Sequence, residues 1–119
     1  MHILLVEDHA DTRRALSKLL IHYGHNVASA ENVRDALHLL DTIRFDAFLS
    51  DIGLPDGDGL ALVQEAKRRQ KFRATVAITA LASADDRQRG LRAGFDHYLT
   101  KPLEVRRLRA VLHQTAEQL

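Results

Sequence analysis

Five short apolar runs, each followed by a stretch of helical periodicity, limit this chain to very few folds. The runs are His2–Val6, His25–Ala30, Ala47–Leu49 leading into Asp51, Ala74–Ile78 and Phe95–Leu99. Each is too short for a helix and reads as a buried strand. Between them apolar residues recur at helical spacing. Ala15, Leu16, Leu19, Leu20 and Tyr23 follow Asp11 as N-cap and stop at Gly24. Val33, Ala36, Leu37 and Leu40 follow Asn32, and Leu60, Leu62, Val63 and Ala66 follow Gly59. A fourth helix starts at Ser83 or Asp85, contains Leu91 and ends at Gly94. A fifth carries Val105, Leu108, Val111 and Leu112, with Glu104 in its first turn. This alternation predicts a parallel sheet covered on both faces and wound with right-handed crossovers.

At 119 residues the chain is long enough for one core, so residues 1–119 are expected to form a single domain. The expected architecture is α/β, a flavodoxin-like doubly wound (βα)5 fold with a five-stranded parallel sheet in the order 2-1-3-4-5. That order sets strands 1 and 3 side by side at the switch point, where such sheets bind ligands. Strand 1 ends in Glu7-Asp8 and strand 3 in Asp51, with Gly53, Pro55, Gly57 and Gly59 forcing a loop behind it. Strand 4 ends in Thr79, and strand 5 is followed by Lys101. All of these side chains fall on one rim.

Carboxylates gathered there repel, at roughly 4 kcal/mol per pair for a spacing of about 4 Å and an effective dielectric near 20. One lysine does not offset that, so a divalent cation is implied. Oxygen ligands with room for water favour Mg²⁺, with Mn²⁺ admitted beside it, and no His/Cys spacing competes. A metal beside an ionised aspartate, a lysine and a hydroxyl is equipment for a phosphoryl group, with the aspartate as nucleophile. Asp56 and Asp58 read as loop solvation and helix N-terminal charge. The seven histidines show no metal spacing, and of these His9 alone lies beside the rim.

Composition excludes several classes. There is no cysteine, hence no disulfide and no thiolate chemistry. No apolar run approaches ~18 residues, and the N-terminus lacks the pattern of a secretion signal, so a cytoplasmic protein without a membrane role is expected. Residues 1–59 hold 5 Lys/Arg against 10 Asp/Glu, and residues 60–119 hold 12 against 6. Solvated helix faces account for this. The sharper alternative is a basic docking face on Arg87, Arg89 and Arg92 of the fourth helix and Arg106, Arg107 and Arg109 of the last. No helix-turn-helix and no aromatic-basic interleaving supports direct nucleic-acid binding.

The blocks Ile3-Leu4-Leu5-Val6-Glu7-Asp8, Asp51-x-x-Leu54-Pro55-x-x-Asp58-Gly59, Thr79-Ala80, Tyr98 and Lys101-Pro102 resemble the receiver domain of two-component response regulators. The resemblance runs from His2 to about Leu112. It implies that Asp51 accepts a phosphoryl group from a kinase histidine. Asp8, Asp51 and the carbonyl of Gly53 would bind Mg²⁺, and Glu7 would hold a metal-bound water. Lys101, joined to Pro102 by a cis bond, would bridge to the phosphate. Thr79 would hydrogen-bond the phosphate, and Tyr98, which taken alone reads as a half-buried aromatic, would then rotate inward and switch the surface near the fourth and fifth strands. Such a domain is no enzyme in the ordinary sense, since it catalyses only its own phosphorylation and dephosphorylation. Its partner would be a sensor histidine kinase or a histidine phosphotransfer domain, and a homodimer through the fourth helix, fifth strand and fifth helix is admitted. The wording around Gly24–Val27 and Ser50–Gly57 resembles receivers of hybrid sensor histidine kinases, with a stand-alone regulator as the alternative. An aspartate-nucleophile phosphatase needs a second acid shortly after the nucleophile, where this chain has Gly53. A flavodoxin-like nucleotide binder needs a phosphate cradle after strand 1, and that loop has none.

Overall fold

The computed structural model describes residues 1–117. In order they form β1 (His2–Val6), α1 (Ala10–His22), β2 (Asn26–Ala30), α2 (Val33–Thr42) and β3 (Ala47–Ser50). Two short strands follow, β4 (Gly53–Leu54) and β5 (Gly57–Asp58), and then α3 (Gly59–Arg69), β6 (Ala74–Thr79), α4 (Ala84–Ala93), β7 (His97–Thr100) and α5 (Val105–Glu117). The main sheet is parallel throughout, in the order β2-β1-β3-β6-β7. With β4 and β5 set aside, this is the expected 2-1-3-4-5 order.

Successive side chains of a strand point to opposite faces, and both faces of this sheet are covered. Ile3 and Leu5 of β1 join Leu16 and Leu20 of α1 and Leu108 and Leu112 of α5 in one apolar layer. Leu4 and Val6 join Ala36 and Leu40 of α2, Leu62, Val63 and Ala66 of α3, and Phe48 and Tyr98 in the other. Each such leucine, fully buried, contributes about 1.5–3 kcal/mol. The register sets Val6 beside Ser50, Ser50 beside Ala77 and Thr79 beside Thr100, so the strands finish level at their carboxyl ends.

Several boundaries differ from the sequence expectation. α1 starts at Ala10 with His9 at the N-cap and no side-chain cap bond, so Asp11 lies inside the first turn and not at the cap. Asp11 there supplies charge to the helix dipole instead of a hydrogen bond. β7 begins at His97, because Phe95 is still closing α4, its N–H donating to the Gly90 carbonyl. Glu104 precedes α5, and its carbonyl accepts from the N–H groups of Arg107 and Leu108. The stretch after Asp51 is not all loop, since Gly53 and Leu54 pair antiparallel with Asp58 and Gly57. Asn32 and Ser83 do cap α2 and α4, accepting from Asp35 N at 2.8 Å and Asp86 N at 3.0 Å. Among the described residues, no helix is long and apolar enough to cross a membrane.

Candidate functional site

The level strand ends bring residues from four strands together. Glu7 and Asp8 follow β1, Asp51 follows β3, Thr79 closes β6 and Lys101 follows β7. The Lys101 ammonium donates to Asp51 Oδ2 at 2.8 Å and to Glu7 Oε1. Asp51 Oδ1 accepts from its neighbours, Ile52 N at 2.7 Å and Gly53 N at 3.3 Å, which fixes the carboxylate plane. Glu7 is 2% exposed and its second oxygen accepts from His9 N at 3.2 Å. The Lys101-Pro102 bond is cis.

Burial alone would pull the Lys101 ammonium down, but its hydrogen bonds to Asp51 and Glu7 and their charges outweigh that, and the net shift is upward. The lysine is therefore a fixed cation at neutral pH. It pairs with two acids, and Asp8 lies beside Glu7, so three carboxyl groups meet one ammonium at the rim. Asp8 Oδ1 is buried and accepts no hydrogen bond, although His9 Nδ1 stands 3.4 Å away. A buried carboxylate oxygen without a partner is costly unless a cation or ordered water completes it. The donor set is oxygen-rich, short of positive charge and partly exposed at Asp8, and it fits Mg²⁺. His9, largely exposed, is the one imidazole grouped with Glu7 and Asp8 among the described residues.

Two glycines shape the rim. Gly53 has open space beside it. Gly59 opens α3 pressed against the backbone of Asp51 and Ile52, where an added Cβ would collide with the Asp51 carbonyl oxygen. Its N–H donates to the Ile52 carbonyl at 2.7 Å, tying the start of α3 to the site. Asp58 caps α3 through Leu60 N at 2.9 Å. Asp56 accepts from Val33 N and Arg34 N at 2.7 and 3.0 Å, across the gap to α2, and those bonds hold its carboxyl below the usual range. Both acids are thus committed to helix N-termini.

Thr79 is buried at the rim, and its hydroxyl accepts from Leu81 N at 3.3 Å. Tyr98 is 2% exposed, more buried than the aromatic that the residue read alone would be, and its hydroxyl donates to the Leu81 carbonyl at 2.6 Å. The ring is already turned inward, against Gly90 of α4. Gly90 carries no local sequence signal for this contact, and Leu91, the apolar residue expected to anchor the fourth helix, is 42% exposed. The basic face is also smaller than its arginine count. Arg89 pairs with Asp86 at 2.7 Å and Arg109 lies over the Tyr23 ring at 5.0 Å.

A family model described as the response regulator receiver domain matches residues 3–113. Response regulator protein PilR of Pseudomonas aeruginosa is 39% identical over 109 residues, covering 92% of this chain and 24% of PilR. Sensor histidine kinase RcsC of Salmonella typhi is 35% identical over 119 residues, covering 100% of this chain and 13% of RcsC. The chain therefore spans a minor part of either relative. Among solved structures, a two-component response regulator from Clostridium difficile superposes with a TM-score of 0.94 at 25% identity, covering 98% of this chain and 96% of that one.

Proposed function

This chain belongs to the response regulator receiver domain family, and from that premise we propose that Asp51 is its phosphoacceptor, within one domain spanning residues 1–119. The observation that carries this is the 2.8 Å contact between Lys101 and Asp51 Oδ2, together with the buried Asp8 Oδ1 that accepts no hydrogen bond. Asp51 Oδ1 is held by two backbone N–H groups, which leaves Oδ2 as the attacking oxygen. The donor is a phosphohistidine. As the new O–P bond forms to Asp51, the N–P bond breaks and the imidazole leaves with its electron pair. Lys101 stays at the transferred oxygens as a point charge, and the Thr79 hydroxyl, released from Leu81 N, donates to one of them.

Asp8, Asp51 and the Gly53 carbonyl would hold Mg²⁺, with Glu7 acting through a water, and the bound ion supplies further neutralisation of phosphoryl charge. The protein has no turnover substrate beyond its own acyl phosphate. Both the response regulator and the sensor kinase it resembles point to a histidine as donor, on a kinase or on a histidine phosphotransfer domain, and this receiver is read as part of such a relay. A second copy docking through α4, β7 and α5 belongs to the same reading, and sedimentation before and after phosphorylation reports it. The deciding experiment is incubation with acetyl phosphate and Mg²⁺ followed by intact mass. The parent gains one phosphoryl group and Asp51→Asn gains none. Labelling of Asp51→Asn would overturn the assignment.

A further inference from the structure

α4 meets the rest of the molecule in an unusual way. Its one buried residue is Gly90, while Leu91 next to it faces solvent. A Cβ built on Gly90 would stand 2.7 Å from both Cδ2 and Cε2 of Tyr98, with Ile52 Cδ1 at 4.0 Å behind. The ring thus fills the space where a helix would ordinarily present a side chain. It is tied at its far end, where Tyr98 donates to the Leu81 carbonyl at 2.6 Å, and Leu81 N donates to Thr79 at 3.3 Å. A glycine inside a helix is disfavoured relative to alanine, so its presence at a buried contact calls for a steric reason.

We propose that Gly90 is the positioning residue for Tyr98: the missing Cβ on α4, not the phosphorylation of Asp51, is what makes room for the inward ring. The inward ring is then the resting arrangement of this receiver, and the contact surface formed by α4 and β7 is set mainly by packing. The meaning of the ring as a switch rests on the function proposed above. The steric claim does not.

The chain holds two tyrosines and no tryptophan, so in a Tyr23→Phe background the absorbance of the phenolate reports Tyr98 alone. Burial first, then the nearby Asp86 charge, raises the Tyr98 phenol above its ordinary value. In that background the phenol is expected to titrate above about 10, with or without Asp51→Asn. Adding Gly90→Ala is expected to bring the titration down toward about 10 and to make the phenol reachable by solvent. Denaturant midpoints give the second readout. Gly90→Ala lowers the midpoint when Tyr98 is present and raises it in a Tyr98→Ala background, where helix propensity acts without the clash. A Gly90→Ala protein whose phenol stays protected, or whose midpoint rises with Tyr98 present, overturns the proposal. So does a parent protein whose phenol titrates like an exposed tyrosine. Should Gly90→Ala fail to fold alone, the Tyr98→Ala background still decides, because a midpoint lowered there would be incompatible with a ring clash. No arm uses phosphorylation, so failure of Asp51 to label would leave this result standing.

Discussion

His25 sets a titrating ring against the amino terminus, with the Met1 ammonium 3.0 Å from Nδ1. Burial lowers its pKa, and the neighbouring positive charge lowers it further. The unfolded chain therefore binds a proton more readily than the folded one. Stability from this site is complete above about pH 6.5 and is lost as pH falls through the lower folded value. Urea midpoints measured at pH 7.5 and 5.0 should differ in that direction, and His25→Gln should shrink the difference. Residues of this kind were invisible in the sequence, because the partner of His25 is set by how β2 lies beside β1. Glu7, Asp8, Asp51, Thr79 and Lys101 were legible for the opposite reason: each sits at a strand end, and strand ends can be read from apolar runs. What could not be read was their pairing. The double contact of Lys101 and the inward ring of Tyr98 depend on distances between elements, which no local pattern encodes.

At the scale of single elements, the helices announced their starts wherever a local side chain closed them. Asn32 is such a case, accepting from Asp35 N. Asn32→Ala should cost about 1 kcal/mol, read as a lower urea midpoint with an unchanged slope. The same helix carries a second cap that the sequence hid. Asp56 reaches Val33 N and Arg34 N from a loop more than 20 residues away, so the sequence does not say which helix end its charge serves. Asp56→Asn should destabilise the protein in the same direction, since the carboxylate both accepts two bonds and opposes the positive helix end. The two-residue strands β4 and β5 were missed for a related reason. Glycine and proline punctuation marks a turn, but it does not say that the turn closes on itself with Gly53 paired to Asp58.

Across the whole molecule, the sheet order was legible because alternating strands and helices with right-handed crossovers leave few arrangements. A sheet covered on both faces has a measurable signature. Leu4 and Leu5 are adjacent in β1, both essentially unexposed, and belong to opposite apolar layers. Leu4→Ala and Leu5→Ala should each cost roughly 2–5 kcal/mol by denaturant unfolding. A sheet with one solvated face would lose stability at one of the two positions and not at the other.

The contacts of Lys101 join residues 94 positions apart at Glu7 and 50 apart at Asp51. A ribosome makes the chain from its amino terminus, so Glu7 and Asp51 leave it well before the lysine that pairs with them. A chain halted before residue 101 never makes the ammonium from which both Glu7 and Asp51 accept in the fold.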